Sequence, residues 1–383
     1  MLHPRRILVR GANWLGDAVI TTPGLLRLRE RFPEAHIALL TPAKLRDLWR
    51  EHPAINEVIA IEPGEGLVSV GRKLRDKRFA LALVLPNSPR AALEVWLAKI
   101  PQRIGYARPW RNWSLTQAIP TRPGHLQMHK RSVAEIKQLV APLQGGTGVA
   151  PVSEKTEAGA TPVLRVTGHQ LHEYLDLAAA LGANPEPLAP TLAVTSEEIT
   201  AAKKKFGLDQ FTHPLLGLNP GAEYGPAKRW PADRFISAAR DLQQRTNCGW
   251  LILGGPGDVE LAARVADGLT QSAHLSSQVF NLAGKASLRE LMSLLKLCRV
   301  LLTNDTGPMH VAAALGTPVV VPYGSTSPEL TGPGLPGDSH HRLLKSDAPC
   351  SPCFLRECPI DFRCMNGISV ERVVEAVVDK LNF

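Results

Sequence analysis

Residues 7–23 read Ile-Leu-Val-Arg-Gly-Ala-Asn-Trp-Leu-Gly-Asp-Ala-Val-Ile-Thr-Thr-Pro. A short aliphatic run meets a glycine-bounded turn, and an amphipathic segment follows. That is the order strand, turn, helix. The motif recurs along the chain. Residues 7–9, 37–40, 81–85, 215–218, 250–253 and 300–302 are apolar runs without polar alternation, as strands covered on both faces require. The stretches between them, such as 23–31 and 232–244, carry helical spacing. Strands alternating with helices predict crossover units and a doubly wound α/β architecture.

A chain of 383 residues leads us to expect two domains. Hydrophobic residues at 44% and charged residues at 21% exclude wholesale disorder. No apolar run approaches the ~18 residues of a bilayer span. The start is basic, but only Ile7-Leu8-Val9 precede Arg10, too short for a signal peptide. The expected compartment is therefore the cytoplasm, with the six cysteines reduced. The first domain is expected over 1–185, with an aperiodic insertion at 144–162. Pro-rich residues 184–190 read as the linker and 191–348 as the second domain. Residues 349–383 form a Cys-rich tail and a last helix from about Ser369, with Val370, Val373, Val374, Val377, Val378 and Leu381 on one face.

The first turn has the G-x4-G spacing of a P-loop, but Asp17 and Ala18 stand where Lys and Ser or Thr belong. A carboxylate there repels phosphate. The dinucleotide fingerprint G-x-G-x-x-G is also missing. What remains is one carboxylate, Asp17, at a helix start beyond the first strand. It is either a general base or a plain helix cap.

Residues 219–231, NPGAEYGPAKRWP, expose backbone N–H groups beside the mobile charge of Lys228. They suit an anionic ligand, or are an ordinary loop with Lys228 solvated and Trp230 in the core. After Gly254-Gly255, Asp258 or Glu260 either accepts from ribose hydroxyls or serves a helix dipole. Residues 303–317, TNDTGPMHVAAALGT, predict a helix from about Gly307. Its start is an anion site, or is capped by Asp305 or Thr306. His310, one turn in, faces the same ligand or is a half-buried helix residue.

The segments RGANWLGDAVITTP (10–23), NPGAEYGPAKRWP (219–231) and TNDTGPMHVAAALGTPVVVPYGSTSPE (303–329) together resemble the ADP-heptose:lipopolysaccharide heptosyltransferases of glycosyltransferase family 9. The resemblance spans nearly the whole chain, in order. It implies the GT-B fold, two Rossmann-like domains facing a cleft. The activity implied is inverting transfer of heptose from ADP-L-glycero-D-manno-heptose to the heptosyl-Kdo inner core of lipopolysaccharide. First heptosyl transfer or another family 9 reaction is the alternative. Readings of another class are a nucleotide-sugar epimerase and a non-catalytic nucleotide-sugar-binding protein.

By the same resemblance Asp17 is the general base and Lys228 pairs with the leaving diphosphate. Asp305, Thr306 and Gly307 match a D-T-G whose backbone N–H groups meet the phosphates, and His310 matches a family histidine. Gly16, Glu223, Tyr224, Asp258 and Glu260 complete the donor contacts, with adenine near loop 282–285. No cofactor or metal is implied, nor any nucleic-acid partner.

The net charge of +9 then has a use. Arg72, Lys73, Arg75, Arg108 and Lys130 are candidates for binding a phosphorylated, carboxylated and lipid-anchored acceptor. The cytoplasmic membrane face is a peripheral partner. A merely solvated basic face is the other reading. Trp110 and Trp113 are expected in the core or a cleft wall. Cys350, Cys353, Cys358 and Cys364 follow C-x2-C-x4-C-x5-C; four thiolates can hold zinc or an iron–sulfur cluster, though only the first pair has metal-ligand spacing. The tail is expected to touch nothing the reaction needs.

Overall fold

A computed structural model describes residues 4–122, 128–141, 168–270 and 278–381. The expected insertion at 144–162 lies outside them. The chain forms two compact units. The first holds residues 1–125 and 170–193, the second 126–169 and 194–383.

In the first unit β1 (Arg6–Arg10), β2 (His36–Pro42), β3 (Glu57–Ile61), β4 (Leu81–Val84), β5 (Gln102–Tyr106) and β6 (Gln117–Ile119) form one sheet, ordered β3-β2-β1-β4-β5-β6. Every pairing is parallel. β1 and β4 are buried along almost their whole length, because helices cover both faces.

The second unit repeats the plan with β7 (Leu215–Asn219), β8 (Gly249–Ile252), β9 (Val279–Asn281), β10 (Leu301–Thr303), β11 (Val319–Tyr323) and β12 (Arg342–Lys345). The order is β12-β11-β10-β7-β8-β9, again all parallel. Strand order therefore reverses between β1 and β4 in one unit, and between β7 and β10 in the other. Loops leaving the carboxyl ends at such a reversal diverge and open a crevice. Both sheets have this dinucleotide-fold order although neither has its glycine fingerprint.

The structure draws the domains differently from the expected boundaries at 185, 191 and 348. Helix Val133–Val140 belongs to the second unit, where its buried Ile136 packs on Cys350 and Cys353. The tail is not separate either. The last helix, Val370–Leu381, buries Val373, Val374 and Val377 in the core that holds Trp230 and Phe235. Among the described residues no helix is long and apolar enough to cross a membrane.

Candidate active site

In the first unit the turn after β1 is gripped from below. Arg10 Nε lies 2.7 Å from Glu94 Oε2, with both side chains buried. Arg10 Nη1 donates to the Gly11 carbonyl at 2.6 Å and to Asn13 Oδ1 at 2.9 Å. A Cβ on Gly11 would stand 3.0 Å from Leu39 Cδ1, so the turn crosses β2 closely. Helix Leu15–Ile20 follows, with Trp14 at its cap position and no side-chain cap. Asp17 sits half-buried in the first turn and is not the cap.

Beside it lies Tyr174, from helix Leu171–Ala179. Burial holds its phenol well above the ordinary value, and the charge of Asp17 adds to the effect. Gln170 Nε2 donates to that phenol at 3.0 Å. The sequence does not reveal this neighbour, which returns to the turn from more than a hundred residues away. Glu94→Ala leaves Arg10 buried beside no carboxylate. It should lower unfolding free energy by about 3 kcal/mol, read by urea denaturation.

In the second unit the loops after β7 and β10 meet at the strand-order reversal. Lys228 Nζ lies 2.7 Å from Asp305 Oδ2, and both side chains are largely buried. The same carboxylate oxygen accepts from Thr326 Oγ1 at 2.6 Å. Lys228 is thus held, not mobile as the sequence suggested. Asn304 ties the loops together. Its Nδ2 donates to the Pro220 carbonyl at 2.8 Å, and its Oδ1 accepts from the Trp230 backbone N–H at 2.9 Å. Trp230 is buried and donates through Nε1 to the Ile368 carbonyl at 3.1 Å.

The helix after β10 is Gly307–Ala314. Thr306 occupies its cap position in extended conformation without a side-chain cap bond, and the Asp305 side chain turns to Lys228 instead. The helix start therefore keeps its electropositive end. His310 is buried. Burial pushes its pKa down to about 4, against the partial opposition of Asp305. Its ring is neutral at neutral pH, not a cation.

Asp258 Oδ2 accepts from the Gly255 N–H at 3.1 Å, and Oδ1 lies 3.8 Å from Arg229. A Cβ on Gly221 would fall 2.2 Å from the Asp258 carboxyl carbon, so the carboxylate rests against the loop after β7. Loop 282–285 joins it, since the Gly284 N–H donates to the Gly254 carbonyl at 3.0 Å. Glu260 is exposed and lines a groove with Asp233 and Arg264 instead. Glu223 is exposed, and Gly16 lies half-buried beside Asp17 in the first unit.

The tail overturns the expectation that it touches nothing relevant. The Tyr224 ring has Lys228 Nζ at 5.0 Å and the Arg356 guanidinium at 5.1 Å. Its hydroxyl donates to the Phe354 carbonyl at 2.9 Å. The Arg356 carbonyl accepts from the Ala227 N–H at 2.9 Å, one residue before Lys228. Gly225 is required here, because φ is +154° and a Cβ would stand 2.5 Å from that carbonyl. Cys350, Cys353, Cys358 and Cys364 gather around one small apolar gap beside Ala227, and burial pushes the Cys364 thiol up to about 12. Among the described residues no group of three or more His, Cys, Asp or Glu is arranged to hold a metal ion. The tail thus braces the lysine loop through backbone bonds and an arginine that the cysteine spacing gave no reason to notice.

Of the expected acceptor residues, Arg72, Lys73 and Arg75 end helix Leu67–Arg75. Lys73 pairs with Glu65 at 2.8 Å, while Arg72 and Arg75 are exposed. Arg108 lies over the Tyr106 ring at 5.6 Å. Lys130 belongs to the second unit, where the adjacent Arg131 N–H donates to the Cys353 carbonyl at 3.1 Å. Trp110 and Trp113 are not core residues, being 87% and 62% exposed. Their loop is pinned by its neighbour Arg111, which takes the buried position under Gly105.

Comparison with known proteins follows the same lines. The family model of glycosyltransferase family 9 (heptosyltransferase) matches residues 160–362. Lipopolysaccharide heptosyltransferase 2 of Salmonella typhimurium is 32% identical, over 86% of this chain and 85% of that protein. Its Escherichia coli counterpart gives the same identity and coverage. The solved structure of E. coli ADP-heptose LPS heptosyltransferase II superposes with a TM-score of 0.75 at 28% identity, covering 98% of each chain, so the two Rossmann-like units are of GT-B type. The chain belongs to glycosyltransferase family 9, the heptosyltransferases.

Proposed function

We propose that the chain performs the second heptosyl transfer of lipopolysaccharide core assembly. It moves heptose from ADP-L-glycero-D-manno-heptose to the heptosyl-Kdo inner core, with inversion. The observation that carries this reading is the Lys228–Asp305 pair at the strand-order reversal of the second unit, beside a helix start with no side-chain cap. An ammonium with three donors can keep Asp305 and also meet a diphosphate oxygen. The helix start adds backbone N–H groups for the other phosphate. Arg356, across the Tyr224 ring, adds a second cation to that neighbourhood.

Asp17 supplies the other half of the chemistry. Its carboxylate accepts the proton of the acceptor hydroxyl as that oxygen attacks the anomeric carbon. The bond to the diphosphate breaks on the opposite face, and Lys228 and the helix start stabilise the charge that develops. His310, neutral, orients by hydrogen bonding. Arg72, Arg75 and Arg108 attract the anionic acceptor, which is carried on a lipid. The enzyme therefore works as a peripheral visitor to the membrane face.

The test is incubation with ADP-heptose and two water-soluble truncated acceptors, one ending in Kdo and one in heptosyl-Kdo, read by mass spectrometry. The heptosyl-Kdo acceptor should gain one heptose with release of ADP. Gain only on the Kdo acceptor would assign first transfer, and no gain on either would overturn the reading.

A further inference from the structure

All four exposed tryptophans of the chain lie in the first unit, while Trp49, Trp230 and Trp250 are buried. Three of the four flank β5. Trp96, 41% exposed, ends helix Pro89–Leu97 and meets Trp113 edge-on at 5.3 Å between ring centroids. Trp110 precedes it in the same loop with a left-handed φ of +67°. That conformation is costly for a bulky side chain and here turns the ring outward. Water-facing indoles of this kind usually have a use, because apolar patches on soluble surfaces mark sites of interaction.

The charge around them narrows the partner. Residues 66–122 contain eleven Lys and Arg but only two acids, Asp76 and Glu94. Glu94 is buried against Arg10, and Lys73, Lys77 and Arg122 pair with Glu65, Glu57 and Asp176 from outside this stretch, whereas Lys99, Arg103 and Arg108 beside the rings have no ion pair among the described residues. The cations frame the rings. Arg75 Nη2 donates to the Leu97 carbonyl beside Trp96 at 2.7 Å. Arg103 Nε donates to the Ser114 carbonyl beside Trp113 at 2.7 Å. Lys99 is exposed three residues after Trp96, and Arg108 stands two before Trp110. A protein partner would have to bring a matching acidic face. An anionic bilayer already offers negative charge above an interfacial layer where indole rings settle.

We propose that Trp96, Trp110 and Trp113, with Lys99, Arg103 and Arg108, form a docking surface for anionic lipid head groups. This rests on the reading above that the acceptor is lipid-borne. Arg103 ties the Trp96–Trp113 pair to the start of β5, whereas the 11–17 turn leaves the end of β1. In a parallel sheet those are opposite ends, so lipid on the Trp96–Trp113 pair leaves Asp17 uncovered, while Arg108 and Trp110 follow the carboxyl end of β5 and extend the surface from there.

The test is co-sedimentation of the full chain with vesicles of phosphatidylcholine and phosphatidylglycerol that contain no acceptor. Transfer to a de-acylated, water-soluble acceptor is measured in parallel. The paired substitution Trp110→Ser, Trp113→Ser should weaken vesicle binding about tenfold, and Lys99→Gln about fivefold. Transfer to the soluble acceptor and the circular dichroism melt should be unchanged. Vesicle binding equal to wild type in both variants overturns the docking surface. So does no vesicle binding by wild type, including the case where the tryptophans instead sustain a dimer seen by sedimentation. Loss of transfer to the soluble acceptor by wild type itself would sink the functional reading, not the lipid one.

Discussion

Asp17→Ala is expected to lower kcat by roughly two to four decades, the range for loss of a general base, with ADP-heptose affinity unchanged within about twofold. The separation follows from where the groups sit. Asp17 belongs to the first unit, whereas Lys228, Asp305 and the start of helix Gly307–Ala314 belong to the second. A purely structural role for Asp17 predicts something else. It sits in the first turn of a six-residue helix without being its cap, beside Tyr174, so a structural role would show in stability rather than in kcat. Losing that alone would lower the melting temperature slightly and leave kcat near wild type. Stopped-flow or coupled ADP-release assays, alongside calorimetry with ADP-heptose, distinguish the two.

Lys228→Ala should cost about a thousandfold in kcat/KM, the upper end of what loss of one electrostatic donor costs. Asp305 contributes to that. With the lysine present its carboxylate is paired at 2.7 Å, and without it an almost fully buried negative charge faces the incoming diphosphate. The double substitution Lys228→Ala, Asp305→Asn removes that charge while leaving Thr326 a partner, and should recover about tenfold. Recovery of nothing would mean that Asp305 does not oppose the donor. Arg356→Ala is the contrast. Its exposed guanidinium acts across the Tyr224 ring, so KM for ADP-heptose should rise severalfold with kcat nearly constant.

Most interior strands were legible because burial on both faces leaves a chemical trace. β1, β2, β4, β7, β8 and β10 are continuous apolar runs. Two strands of mixed sequence were not. β5, paired on both sides, is Gln-Arg-Ile-Gly-Tyr, and the edge strand β12 is Arg-Leu-Leu-Lys; each becomes a strand only because its neighbours pair with it. β11 carries Pro322, which reads as a break, yet it pairs on both sides.

The site divides in the same way. Lys228 and Asp305 were each visible as a loop residue after a strand, but their pairing depends on strand order, which a linear pattern does not contain. Asn304 was hidden by its more conspicuous neighbours. Tyr174 and Arg356 reach their loops from distant segments. Trp110 was misjudged for a physical reason. Indole rings are usually buried for their area, and nothing in the local sequence announces the left-handed turn that points this one outward.

The stereochemistry of the product tests the whole account most directly. If the hydroxyl deprotonated by Asp17 attacks while the diphosphate held by Lys228 departs in the same step, the NMR coupling at the anomeric centre of the transferred heptose must report the configuration opposite to that in the donor. A product with the donor's configuration would require two successive displacements and an intermediate on the enzyme, and no single proton acceptor at Asp17 accounts for that.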